Sequence, residues 1–251
     1  MNTLIDFWQQ EETQPFIGWD FAYLDGRMHE GQTPWSYRER AGALLRQATS
    51  VLDMDTGGGE RLLEMRADWP AKVVVTEEYP PNVTLARTRL EPLGVTVVDV
   101  ALRMDAPMPF ADAEFDVVLN RHAAFNVDEV ARILTAGGTF LTQQVHGMWA
   151  HDLLAVFGAT PQWPDSTPAR YLPWLQAAGL RVVMAEDWSG DLVFSDVGAI
   201  VYYLKAVPWL VPGFSVEKHL PALQELQARL EKENRLCFAA KKYIIEARKA
   251  A

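Results

Sequence analysis

Between residues 50 and 187, short β-branched apolar runs alternate with helical patterns. That alternation restricts the possible folds more than any other feature of the chain. SVLDMD (50–55), AKVVVTE (71–77), VTVVDV (95–100), FDVVLNRH (115–122), GTFLTQQV (138–145) and RVVMAED (181–187) read as strands. KKYIIEARK (241–249) reads as a last one. Between them, GERLLEMRAD (59–68), NVTLARTRLEPLG (82–94), VDEVARILTAGG (127–138) and PARYLPWLQAAGL (168–180) carry helical patterns. Strands this apolar need cover on both faces, which predicts a parallel sheet between two layers of helices. Such sheets bind ligands outside the carboxyl ends of their strands, where strand order reverses.

Two regions fall outside the alternation. Residues 1–49 carry Trp8, Trp19 and Trp35 and end in a helical stretch, SYRERAGALLRQA (36–48). Residues 190–236 contain PWLVPGF (208–214) and an amphipathic stripe of Val216, Leu220, Leu223, Leu226 and Leu230. Pro221 places the start or a kink of that helix, and packing on the main domain is the expected role of the stripe. With 251 residues, 49% of them hydrophobic, a single large α/β domain can bury its core. We divide it into an N-terminal aromatic cap (1–49), a ligand-binding core (50–189), a helical insertion (190–236) and a final strand (237–251). The formal charge of −10 repels phosphate backbones and argues against binding long nucleic acid. Cys237 is the only cysteine, so no intrachain disulfide can form. The N-terminus lacks a secretory pattern, and the longest apolar segment, VGAIVYYL (197–204), is far shorter than the ~20 residues of a membrane span. A cytoplasmic, membrane-free protein is expected, with no metal site.

The strand tips carry the chemistry. VLDMDTGGGE (51–60) ends a strand in Asp53 and Asp55 and then opens a loop almost bare of side chains. Such a loop lets a ligand approach the backbone. Flanking acids disfavour a phosphate and favour a cation or a ribose. The dinucleotide spacing G-x-G-x-x-G is absent, and Asp55 and Glu60 would repel a pyrophosphate. Glu77 ends the next strand, 24 residues after Asp53. A carboxylate there suits a hold on ribose hydroxyls. Asp105, after the third strand, is placed either to accept from an exocyclic amine or to cap a turn.

These tips, taken with DAPMPFADAEFDVV (105–118) and EVARILTAGGTF (129–140), resemble class I S-adenosylmethionine-dependent methyltransferases. The similarity covers about residues 50–145. It implies a Rossmann-like, doubly wound sheet of seven strands, mostly parallel with the last strand antiparallel, helices on both faces and a cap from the two extra regions. S-adenosylmethionine is the implied cofactor and S-adenosylhomocysteine the product. By the resemblance, Asp53 orders the loop and approaches the methionine end, and Gly57 and Gly59 let the backbone touch the cofactor, with Thr56 and Gly58 in the same loop. Glu77 holds the ribose, Tyr79 lies near the adenine, Asp105 and Ala106 meet the adenine edge, and Asn120 approaches the methionine moiety. Asp55 departs from the pattern, which has glycine there. Its acid either pairs with the cofactor's positive charge or narrows the pocket.

An acceptor that carries a proton on its nucleophile can need a base, and His122 and His146, after the fourth and fifth strands, are the candidates. Trp19, Trp35, Tyr37 and Trp149 are candidate acceptor-binding aromatics, and Arg121 can hold an anionic acceptor. A small-molecule acceptor and a monomer or homodimer are the expectation. An RNA-directed methyltransferase and a non-catalytic cofactor-binding module are the alternatives.

Overall fold

The computed structural model describes residues 3–250. The outermost residues of both terminal segments, 1, 2 and 251, lie outside it. The elements run α1 (Thr3–Glu12), β1 (Met28–Glu30), α2 (Tyr37–Leu45), β2 (Ser50–Met54), α3 (Glu60–Leu63), β3 (Lys72–Glu77), α4 (Pro80–Leu90), β4 (Thr96–Asp99) and β5 (Phe115–Arg121). Then come α5 (Val127–Ile133), β6 (Leu134–Val145), α6 (His151–Val156), α7 (Pro168–Ala177), β7 (Leu180–Phe194), α8 (Val197–Ala206), α9 (Leu220–Glu233) and β8 (Leu236–Lys249).

The strands form one sheet in the order β1-β7-β8-β6-β5-β2-β3-β4. From β6 to β4 every pair is parallel. β8 slots between β6 and β7, antiparallel to both. The chain steps from β2 outward to β3 and β4, then returns to place β5 on the other side of β2. Strand order therefore reverses between β2 and β5, and the crevice at their carboxyl ends is where a ligand is expected.

Side-chain parity explains the two layers, because neighbouring residues on a strand face opposite ways. Val51, Val75, Val117, Leu119, Leu141 and Ile244 pack with Ala41, Leu45, Leu62 and Leu90 of α2, α3 and α4. Leu52, Val118, Phe140, Tyr243 and Ile245 pack on the opposite face with Val130, Tyr171 and Leu175 of α5 and α7. A third core lies beyond the parallel strands. There Leu192, Phe194, Leu236 and Phe238 meet Trp8 of α1, Leu153 of α6, Ile200 of α8, and Leu223 and Leu226 of α9.

The predicted strands and helices are present, with five differences. The helix expected over 59–68 is α-helical only over Glu60–Leu63 and gives way to a 3-10 turn at Arg66–Asp68. An eighth strand, β1, adds an antiparallel edge beside β7; at three residues it is too short to announce itself. The helix expected over 127–138 stops at Ile133, because Leu134 is already extended (φ −71°, ψ 136°) and pairs with Phe115. The strands expected over 181–187 and 241–249 run much longer, to Phe194 and from Leu236, as a ribbon that reaches past the end of β6 into the expected insertion. VGAIVYYL is a helix, α8, with nearly every residue buried and its first turn capped by Asp196, which accepts from Ala199 N–H at 2.7 Å. Among the described residues, no helix is long and apolar enough to cross a membrane.

Arg27 ties the cap together. It donates to Asp196 through Nε at 2.9 Å and Nη2 at 2.7 Å, and to Glu11 of α1 through Nη1 at 3.2 Å.

Candidate active site

The loop after β2 lies at the strand-order reversal. Gly57 and Gly59 both take left-handed backbone (φ 65° and 82°), which glycine adopts at little cost. A β-carbon at Gly59 would meet Leu90 Cδ1 at 2.8 Å, and one at Gly57 would meet Trp19 Cδ1 at 2.7 Å. The first contact lets α3 pack tightly on α4. The second places Trp19 on the glycine loop, at the edge of a separate cleft with Asp20, Glu60 and Arg61. Trp19 was expected beside the acceptor; the fold puts it over the cofactor loop.

Acids crowd this loop. Asp53 accepts from Thr56 Oγ1 at 2.7 Å, and burial pushes its pKa up to about 6 against the opposing effects of Thr56 and Arg121. Asp55 is left-handed (φ 50°), a strained choice for a residue with a β-carbon. Its Oδ1 is enclosed and has no hydrogen-bond partner. Burial, followed by the charges of Glu77, Glu78 and Asp53, pushes its pKa up to about 7.

Glu77 ends β3 at 4% exposure. Its Oε2 accepts from Gly57 N–H at 2.8 Å; its Oε1 accepts from the amides of Glu78 at 3.0 Å and Tyr79 at 2.9 Å. A carboxylate offers about four lone-pair sites, so one stays open for a hydroxyl. Tyr79 is exposed at the start of α4. Asp105 is exposed and Ala106 half-buried in the loop before β5. Asn126 anchors that loop by donating to Met104 O at 2.8 Å.

Three expected residues are placed elsewhere. Asn120 is fully buried, and its Oδ1 accepts from Thr142 Oγ1 at 3.0 Å and from Gln144. It shares the parity of Val118, so its side chain faces the α5–α7 layer rather than a ligand. Trp149 is 7% exposed and donates from Nε1 to Tyr203 Oη at 2.8 Å; it packs in the cap core behind Lys242 instead of lining a cleft. His146 accepts on Nδ1 from Met148 N–H at 3.0 Å and meets Tyr243 edge-on, on the side of β8 away from Lys242.

A cleft of about 610 Å³ opens where α2 and α3 meet the ends of β5, β6 and β8. Trp35, Tyr37 and Arg121 line it, as do Gln143, Lys242, Glu30 and Arg61, which the sequence reading passed over. Parity held the missing signal: Lys242 has the register of the inward-facing Ile244, and Gln143 that of Leu141. Trp35 Nε1 donates to Gln143 Oε1 at 2.8 Å. Lys242 Nζ lies 2.5 Å from Glu30 Oε1, and burial lowers its pKa. His122 follows Arg121 in left-handed backbone (φ 66°) and donates its N–H to Gln143 O at 2.9 Å. Its side chain is exposed and does not line the cleft. The surrounding protein, then Arg121, Lys242 and Arg61, hold its pKa well below the usual histidine value.

Residues 52–142 match a family model described as a methyltransferase domain. No curated protein matches the sequence. Among solved structures, a candidate methyltransferase from Bacillus halodurans superposes with a TM-score of 0.59 at 20% identity, over 85% of this chain and 97% of that one. A SAM-dependent methyltransferase from Geobacter sulfurreducens, in complex with S-adenosyl-L-homocysteine, gives 0.50 at 19% identity over 87% and 93%. The cyclase SpnF gives 0.52 at 16% identity over 99% and 93%. The glycine cradle and the partnerless Asp55 oxygen fit a ligand that brings positive charge to this loop. Residues 52–142 match a methyltransferase domain, and the chain has the fold of solved S-adenosylmethionine-dependent methyltransferases.

Proposed function

We propose that the protein methylates a small-molecule acceptor held in the cleft walled by Trp35, Tyr37, Arg121 and Gln143. Position carries this reading: the cleft opens at the ends of β5 and β6, and β5 is the immediate neighbour of the strand that bears the glycine loop. A volume of about 610 Å³ suits a small molecule. The cleft mixes four basic residues with three acidic ones, a poorer match to a phosphate backbone than to a small polar ligand. In this reading residues 1–49 and 190–236 form the cap of a single domain, and the protein acts in the cytoplasm as a monomer or homodimer.

The cofactor supplies an electrophilic sulfonium methyl when bound. Around it, Asp53 and Asp55 present negative charge to the methionine end, and Thr56 fixes the carboxylate of Asp53. Gly57, Gly58 and Gly59 give backbone access. Glu77 accepts a ribose hydroxyl on its open lone pair, and Tyr79, Asp105 and Ala106 flank the base. His122 follows Arg121 at the end of β5 and is the candidate to take up a proton from the acceptor. Strained backbone of the kind found at His122 is concentrated at functional sites.

Calorimetric titration with S-adenosylmethionine tests the cofactor half. Micromolar binding is expected, and Glu77→Ala should weaken it by about 1–3 kcal/mol, the usual loss for a charge-assisted hydrogen bond. If wild type does not bind, titrating Asp55→Gly shows whether the acid closes the loop. Silence from both variants would refute the reading.

A further inference from the structure

The acceptor cleft contains a guanidinium that the protein leaves unpaired. Arg121 is largely buried, its Nε has no hydrogen-bond partner, and it forms no ion pair among the described residues. Its Cζ lies 5.9 Å from the centre of the Tyr37 ring. The hydroxyl of Tyr37 is also enclosed and without a partner. Beside them, the oxygen of Gln143 is taken by Trp35, which leaves its NH₂ group as a donor without a recorded protein acceptor. Burying donors without partners is costly, and burying an unpaired charge costs more. Here two such groups, Arg121 Nε and Tyr37 Oη, converge on one cleft, and with the NH₂ group of Gln143 all three can donate.

A ligand that satisfies them must accept, and an anion accepts best. The lining sets the size of its charge. Arg38, Arg61, Arg121 and Lys242 stand against Glu30, Glu39 and Glu64, so 4 − 3 leaves a formal excess of +1. That balance matches a single carboxylate better than a dianionic phosphate. The planar fork of a guanidinium also matches the two oxygens of a carboxylate. No residue of the glycine loop and no part of Glu77–Tyr79 lines this cleft, so the anion belongs to the acceptor rather than to the cofactor.

We infer that the acceptor carries a carboxylate, seated on Arg121 with Tyr37 and Gln143 donating to it. This rests on the methyl-transfer reading and names its substrate class. The carboxylate is the handle and not the methylated atom, because donors on both oxygens draw off the electron density that a nucleophile needs.

The test is titration of the protein loaded with S-adenosylhomocysteine, using benzoate, benzamide and inorganic phosphate as probes. Benzoate should bind at least tenfold more tightly than benzamide and more tightly than phosphate. Arg121→Gln should bring benzoate down to the benzamide level and change the affinity for S-adenosylhomocysteine less than twofold. Tyr37→Phe should weaken benzoate about threefold to tenfold, and Arg121→Lys should restore part of the preference. Equal binding of benzoate and benzamide would overturn the inference, as would tighter binding of phosphate. So would a loss of S-adenosylhomocysteine affinity in Arg121→Gln, since the guanidinium would then serve the cofactor's own carboxylate. A protein that binds no S-adenosylhomocysteine, either as wild type or as Asp55→Gly, would instead bring down the methyl-transfer reading and this inference with it.

Discussion

Asp55 combines a left-handed backbone, an oxygen without a partner and a pKa raised to about 7. Between the ordinary carboxyl value of 3.8 and about 7 the folded protein holds this proton more tightly than the unfolded chain does. Stability from this group is therefore full below the ordinary value and is lost as pH rises through about 7. Asn keeps the shape and tolerates left-handed backbone. Asp55→Asn should thus raise the melting temperature of the ligand-free protein at pH 8, by about 2–4 °C for each kcal/mol relieved, with little change at pH 4. The same variant should bind S-adenosylmethionine more weakly. In the wild type, a cation brought to Asp55 lowers its pKa, so binding at pH 7 should release a fraction of a proton. Calorimetry in buffers of different ionisation enthalpy reads that release; its absence would mean that Asp55 does not meet the cofactor's charge. The acids of the loop and the tip of β3 were visible in the sequence, because they follow apolar runs at a familiar spacing. The burial of Asn120 was not, since it depends on which face of β5 each parity takes.

At the scale of elements, α1 and α8 are held together through Arg27, Glu11 and Asp196. Glu11 is 4% exposed and pairs with that arginine at 3.2 Å. Hydrogen bonding to Asp196 raises the pKa of Arg27, and the guanidinium stays charged at any working pH. Asp196→Ala removes both the cap of α8 and the bidentate pair, and should cost about 1–3 kcal/mol in urea unfolding. Asp196→Asn retains a capping oxygen and should cost less. Equal losses would mean that the cap contributes little and the ion pair carries the loss. The parallel strands were legible because they are apolar throughout. The reach of β7 was not, since exposed residues such as Glu186 and Asp187 interrupt its pattern. Nor was β1, which exists only because β7 offers it an edge.

For the whole molecule, the proposed acceptor cleft gathers residues 30–39 and Lys242 onto Arg61, Glu64, Met65, Arg121 and Gln143, whereas the glycine loop and Glu77 lie in one stretch of the chain. The structural neighbours share the sheet and include methyltransferases and a cyclase, so the chemistry has to be argued from the site and not from the fold. Trp35→Ala should lower kcat/KM for the acceptor at least tenfold, with the affinity for S-adenosylmethionine within about twofold, because Trp35 touches Gln143 and not the glycine loop. A matched loss of both, with a lower melting temperature, would mark Trp35 as structural.

The ribbon of β7 and β8 extends past the end of β6 and carries α8 and α9 at its tip. In consequence, the lining that residues 30–39 and Lys242 bring to the cleft from beside this ribbon can be edited by mutation while the glycine loop is left alone. Over evolutionary time this chain can change what it modifies without having to reinvent how it holds its methyl donor.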